Sequence, residues 1–242
     1  MRDGPAVLLL HGGGISPWMW EPVVELLPEF RCLTPSLPDR DSVEAIAEAV
    51  ASLLPGPAPA TVAGLSLGGQ VALALATAHP ERVARVMVTG TVVRPVRGAG
   101  LVSALLPLYM PFKDAPALIR ANLRALGVPA RFSPQFAADT RAITTGSFRR
   151  MLRANQRFRI PAGLGAAGIP LLALAGEGEA GAVKASLREL AAAVPGAACR
   201  LVAGAGHAWP LTDPDLFAAV LRAFAQGGAL PARLHAARQG TR

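Results

Sequence analysis

Ser66 stands inside Gly64-Leu65-Ser66-Leu67-Gly68-Gly69, between an apolar run ending at Ala63 and an Ala/Leu-rich run from Gln70 to Ala78. Strand, sharp turn, helix is the context in which G-x-S-x-G describes a nucleophile. The turn strains the serine backbone and lifts its hydroxyl clear of the sheet edge. The positions two residues away must then be small, a demand that Gly64 and Gly68 meet, and Gly69 lets the helix approach the sheet. A helix starting after Ser66 also leaves first-turn N–H groups aimed at any anion that forms there. A small-residue turn without chemistry is the competing reading of the pentapeptide alone.

Serine needs an adjacent base held by a third group. Of the four histidines, His11 lies in a glycine loop, His79 precedes Pro80 at a helix end and His235 falls near the C-terminus. His207 is different: Gly204-Ala205-Gly206-His207-Ala208-Trp209-Pro210 follows an apolar strand, and the glycines give an imidazole room to reach back over the sheet edge. Its alternative is a loop histidine bonded to backbone. The orienting acid should follow the preceding strand, where Ala175-Gly176-Glu177-Gly178-Glu179-Ala180-Gly181 offers two carboxylates and no aspartate. Either glutamate can hold an imidazole and stabilise its protonated form, and the order Ser…Glu…His suits a nucleophile elbow. The same segment spells G-x-G-x-x-G, but glutamates inside the turn would face a pyrophosphate, and the next strand ends at Ala203 without an acid for a ribose.

These residues must be positioned by a sheet. Ala6–Leu10, Phe30–Pro35, Ala60–Ala63, Val83–Thr89, Ile169–Ala175 and Ala198–Ala203 read as strands, with helices at Pro17–Leu27, up to Leu54, Gln70–Ala78, Ala182–Val194 and Asp213–Ala225. Asp41 with Glu44 resembles a capping box, Thr212 or Asp213 caps the last helix, and Gly227-Gly228 closes it. The alternation predicts an α/β, doubly wound, mainly parallel sheet whose ligands bind at the carboxyl ends of the strands. His11–Gly14, Ser66 and the segments after Ala175 and Ala203 therefore share one rim. From Arg94 to Ile160 the rhythm breaks into proline-punctuated helices, and Ala229–Arg242 is basic, without periodicity, and reads as a loosely held tail.

Over half of the 242 residues are hydrophobic, so a single domain with an insertion can bury a sizeable core. The net charge of +8 is almost all arginine, spread along the chain but denser between Arg120 and Arg159. Abundant Ala, Gly, Pro and Arg fit a GC-rich coding sequence as well as a ligand. No zinc-finger, RNP or basic-zipper pattern accompanies the charge, which argues against nucleic acid. Cys32 and Cys199 make no spaced set and read as buried reduced thiols; no apolar run reaches the length of a signal core or membrane span. A cytoplasmic protein is expected, with no metal or cofactor implied.

Taken together, His-Gly-Gly-Gly after the first strand, the Gly-Leu-Ser-Leu-Gly-Gly elbow, Gly-Glu-Gly-Glu after a later strand and Gly-His before the last helix resemble the α/β-hydrolase family. The resemblance covers the chain apart from the insertion and the tail. It implies a core at 1–93 and 161–228 and a helical cap at 94–160. The chain starts at the family's third strand, so a sheet of about six strands is expected. It implies Ser66, His207 and an acid in the slot of Glu179, with Glu177 as the alternative. The oxyanion hole would come from the N–H groups of Leu67 and Gly13, with Gly14 in reserve. Serine at 66 departs from the haloalkane dehalogenase and epoxide hydrolase branches, whose nucleophile is aspartate, and the loop after Pro35 lacks the glycines many relatives carry there. The implied function is a serine hydrolase cleaving an ester, thioester or related acyl bond of a small apolar substrate. A ligand receptor and a lyase or perhydrolase are the alternatives on the same fold. Trp18, Leu105, Leu106, Leu108, Tyr109, Met110, Phe112 and Trp209 are candidate pocket residues, or else core.

Overall fold

The computed structural model describes residues 4–54, 56, 58–95 and 99–237. Short apolar runs with no polar face can only be strands covered on both sides, and that is what they form. β1 (Ala6–Leu10), β3 (Ala60–Leu65), β4 (Val83–Thr89) and β5 (Leu171–Gly176) make the buried centre of one sheet. β2 (Arg31–Leu33), β6 (Ala198–Val202) and β7 (Leu234–Ala236) complete it, in the order β2-β1-β3-β4-β5-β6-β7. All neighbours are parallel except β6 and β7.

Successive side chains on a strand point to opposite faces, which splits the core in two. Val7 and Leu9 pack with Met87, Trp20 and Phe217 beneath α1 (Glu21–Glu25) and α10 (Pro214–Gln226). Leu8 and Leu10 pack with Val62, Val50, Val71 and Leu187 beneath α2 (Val43–Ala51), α3 (Leu67–Ala78) and α8 (Gly181–Ala193). Cys32 and Cys199 are half-buried rather than buried. They sit on β2 and β6, five strand spacings or about 24 Å apart.

Several local expectations are corrected and others are made specific. The sheet has seven strands, not six, because residues 234–236 of the expected tail pair antiparallel with β6. Leu234 is buried there, and the segment is pinned by the ion pair of Arg233 with Asp213 and a contact of His235 Nε2 with the Glu177 carboxylate at 2.9 Å. α2 is capped by Ser42, whose hydroxyl accepts from the Ala45 N–H, rather than by Asp41. At α10 the cap is Asp213, which accepts from Leu216 N–H, and Gly227 closes the helix at φ 70°. The stretch from Pro17 begins as a 3-10 turn (Pro17–Trp20) before α1.

Between β4 and β5 the described chain forms α4 (Ala99–Tyr109), α5 (Pro116–Leu126), α6 (Ser133–Ala142) and α7 (Thr145–Arg157). Three polar ties fix this insertion to the sheet. Gln70 Nε2, at the start of α3, donates to the carbonyls of Val92 and Asn155. Asp139 Oδ2 accepts from Ser16 N–H at 2.8 Å and Trp18 Nε1 at 2.7 Å. Arg150 forms a two-point ion pair with Asp39. The guanidinium holds the Asp39 carboxyl below its ordinary range.

Charge is concentrated in this insertion. Residues 94–160 contain twelve Lys and Arg against two Asp, so they carry +10 while the rest of the chain carries −2. No described helix is long and apolar enough to cross a membrane.

Candidate active site

The turn between β3 and α3 is sharp enough to force Ser66 to φ 55°, ψ −115°. Among the described residues it is the one non-glycine with positive φ, the strain such a turn stores. The glycines around it are close-approach positions. A Cβ on Gly64 would lie 2.3 Å from the Gly68 carbonyl oxygen, one on Gly68 2.1 Å from that of Leu10, and one on Gly69 2.0 Å from Thr91 Oγ1. The elbow therefore fits against β1 and the end of β4 only without side chains there.

The glycine loop after β1 lies against the elbow. A Cβ at Gly12 would sit 3.7 Å from that of Ser66, and one at Gly13 3.6 Å from Leu67 Cδ2. His11 fixes this loop from behind: its Nδ1 donates to the Gly12 carbonyl at 2.8 Å and its Nε2 accepts from Leu37 N–H at 3.0 Å. Only the neutral Nδ1–H tautomer satisfies both bonds. Burial pushes the His11 pKa below its ordinary value, although the Gly12 bond acts the other way. Gly13 and Leu67, where α3 has N–H groups without intrahelical acceptors, thus face the same space beside Ser66.

On the other side, His207 and Glu179 meet. His207 Nδ1 donates to Glu179 Oε1 at 2.6 Å, and Glu179 Oε2 accepts from Gly176 N–H at 2.9 Å. The Glu179 side chain is 2% exposed. Glu177, the alternative acid, is exposed and turned away: it accepts from Gly204 N–H and pairs with His235. That backbone bond, with His235, lowers its pKa. Sequence spacing left the two glutamates open; the turn separates them.

One support was not legible in the sequence. Thr89 at the end of β4 accepts the Ser66 N–H with its carbonyl (2.9 Å), while its hydroxyl accepts from Trp209 Nε1 (2.7 Å). The next residue, Gly90, has φ 62°, and a Cβ there would stand 2.9 Å from His207 Nδ1 and 3.0 Å from Glu179 Oε1. A glycine directly after a central strand was the one available hint.

Two cavities share Gly13, Gly14 and Ile143. The smaller, about 240 Å³, lies between the sheet rim and α7 and reaches Leu67, Asp39 and Met151. The larger, about 500 Å³, opens among α4, α5 and α6 and is lined by Leu105, Leu106, Tyr109, Phe136 and Phe148, with Lys113, Asn122 and Thr140 as polar members. Of the sequence candidates for a pocket, Leu105, Leu106 and Tyr109 line this cavity. The other pocket candidates line neither cavity. Trp209 is 1% exposed and packs its ring on Phe217, because α9 (Trp209–Thr212) tucks it under the histidine loop. Trp18 is held outside both cavities by Asp139 and a stack on Phe132. Met110 is buried within the insertion, and Leu108 and Phe112, the latter in the 3-10 turn after α4, are exposed.

A strained serine, a glycine loop and a histidine–carboxylate pair on one rim of a doubly wound sheet place the fold in a known group, and residues 7–220 match the family described as the alpha/beta hydrolase family. The chain belongs to that family. An alpha/beta hydrolase from Aromatoleum aromaticum, a pimeloyl-[acyl-carrier protein] methyl ester esterase, is 31% identical over 92% of this chain and 99% of its own length. Among solved alpha/beta hydrolase structures, a thermophilic esterase from Thermogutta terrifontis superposes with a TM-score of 0.78 at 21% identity, covering 93% of this chain and 90% of its own. The enol-lactonase from Burkholderia xenovorans LB400 superposes equally well, TM-score 0.78 at 22% identity over 92% of this chain and 91% of its own. At these identities the two structures speak for the fold.

Proposed function

We propose that this alpha/beta hydrolase cleaves carboxylic esters through an acyl-enzyme on Ser66. The observation that carries the reading is the 2.6 Å bond between His207 and the buried Glu179 on the rim that bears the strained serine. In this reading His207 Nε2 takes the Ser66 proton as Oγ attacks the ester carbonyl, and the N–H groups of Leu67 and Gly13 hold the oxyanion. Collapse expels the alcohol, which takes the proton from His207. Water then attacks the acyl group by the same route and releases the acid. Glu179 holds the imidazole and stabilises its charged form. The insertion acts as a cap, and the larger apolar cavity receives the acyl chain.

The Aromatoleum relative supports an acyl chain borne on a carrier as the substrate class. The +10 of residues 94–160 supports an acidic partner at that face. The test is fluorophosphonate labelling of the intact protein and of Ser66→Ala, together with turnover of short and medium aryl esters. Labelling of the wild type alone, with steady turnover, is the expected result. Stoichiometric acylation without release would point to a receptor, and labelling of the variant would remove Ser66.

A further inference from the structure

The larger cavity is apolar apart from Lys113, Tyr109, Asn122 and Thr140; the Thr140 hydroxyl donates to the Phe136 carbonyl, while the other three keep hydrogen-bond donors with capacity to spare. Lys113 donates to the carbonyls of Thr140 (2.7 Å) and Arg141 (3.0 Å) at the end of α6, which leaves one of its three N–H bonds. No described carboxylate lies within ion-pair distance of it. The insertion has two acids, Asp114 and Asp139, and the latter is already occupied by Ser16 and Trp18. Tyr109 Oη accepts from Asn122 Nδ2 at 3.0 Å, so the phenolic hydrogen and the second amide hydrogen remain for a ligand. All three side chains line the cavity that also contains Gly13 and Gly14, beside the nucleophile turn.

We propose that Lys113, Tyr109 and Asn122 form a subsite for an oxygen-bearing far end of the acyl chain, either a carboxylate or a thioester carbonyl. The proposal rests on the esterase reading, in which this cavity holds the acyl group. A half-buried cation without a counter-carboxylate gains from an acceptor brought to it, and that cation beside the Tyr109 and Asn122 donors favours an acceptor over an amine or a plain alkyl end. The competing account is that Lys113 merely caps α6, interacting with its terminal carbonyls. Such a cap affects every ligand alike.

Calorimetric binding to Ser66→Ala protein separates the accounts without requiring turnover. The probes are methyl heptanoate, monomethyl pimelate and the N-acetylcysteamine thioester of monomethyl pimelate, which share one chain length. At least one of the two oxygen-terminated esters is expected to bind about tenfold more tightly than methyl heptanoate, the worth of one charge-assisted hydrogen bond. That ratio should collapse in Ser66→Ala/Lys113→Met and shrink in Ser66→Ala/Tyr109→Phe. A gain on the acid alone identifies a free carboxylate, and a gain on the thioester identifies a carrier-type substrate. Equal binding of all three probes, or a ratio that survives Lys113→Met, overturns the proposal. If Lys113→Met melts early, the pair Tyr109→Phe and Asn122→Leu carries the same test. Failure of the esterase reading would register separately, as absent turnover of aryl esters by the wild type.

Discussion

Gly90→Ala tests whether the histidine–glutamate pair does the chemistry, because it pushes on that pair without altering any reacting group. The new Cβ would stand 2.9 Å from both Cε1 and Nδ1 of His207 and 3.0 Å from Oε1 of Glu179. Non-bonded heavy atoms rest comfortably near 3.5–4.0 Å, so the ring must retreat by roughly 0.5–1 Å. A misplacement near 1 Å costs about 10²-fold in rate. Gly90 also has φ 62°, and a left-handed conformation costs an L-residue about 1–2 kcal/mol. In a chain of this size that lowers Tm by about 2–8 °C. Gly196→Ala is the control: its φ is 79° and no described atom lies within 4 Å of its built Cβ. Steady-state hydrolysis of an aryl ester, alongside thermal melting, should show similar losses of Tm and a fall of about 10²-fold in kcat for Gly90→Ala alone. If the two variants lose equal stability and both keep full kcat, the pair is not catalytic and the mechanism proposed for Ser66 fails with it.

Glu179→Gln should lower kcat by about 10²–10⁴-fold, since an amide keeps the shape but loses the stabilisation of the imidazolium. Glu177→Gln should stay at least roughly tenfold more active than Glu179→Gln, and the reverse order measured in the same assay would exchange their roles. Ser66→Ala and His207→Ala should each cost several orders of magnitude, and the double variant little more, because such groups act as a unit. More than about a tenth of activity surviving in either single variant refutes the assignment. Burial holds the His11 pKa below its ordinary value, so the folded state binds fewer protons there than the unfolded chain. Its contribution to stability is present above the unfolded pKa of about 6.5 and is lost as pH falls below it. Melting from pH 7 to pH 5 should show a fall in Tm that is shallower in His11→Gln, and parallel curves would show that His11 is not responsible.

How much of this was legible follows from how local each feature is. Ser66 and its glycines were readable because the elbow's sterics are confined to a few residues between strand and helix. His207 was readable because, of the two histidines that follow strands on this rim, His11 lies inside the glycine loop and only His207 stands in a loop with room to reach back over the sheet edge. Spacing alone left Glu177 and Glu179 open, since both lie in one turn, and the preference for Glu179 came from the family resemblance; in the structure Gly176 and Gly204, bonded to different carboxylates, send them apart. β7 left no trace because three residues cannot show a period, and its pairing with β6 is made by contacts distant in sequence. Trp209 was misplaced for a related reason. An aromatic beside a rim histidine reads alike as pocket or core, and the turn of α9 together with Thr89 decides. Met110 and Phe112 likewise depended on which face of the insertion meets the sheet, which no window of sequence contains.

The arrangement also assigns rigidity and specificity to different parts of the chain. Gly13, Ser66, Gly90, Glu179 and His207 hang from the ends of β1, β3, β4, β5 and β6, five neighbouring strands whose spacing the sheet fixes. The chemistry therefore inherits the stiffness of the most buried layer. The cavity walls come mostly from α4 to α7, tied to that layer through Gln70, Asp139 and the Arg150–Asp39 pair. A closely packed layer tolerates little change in volume, whereas helices joined by a few polar ties can be resurfaced. It follows that substitutions lining the larger cavity should alter mainly KM and the ranking of substrates, while those beneath the rim, at Thr89, Gly90 and Trp209, should alter mainly kcat. The same division explains why +10 can accumulate on the insertion: charge placed there leaves the geometry at Ser66 intact.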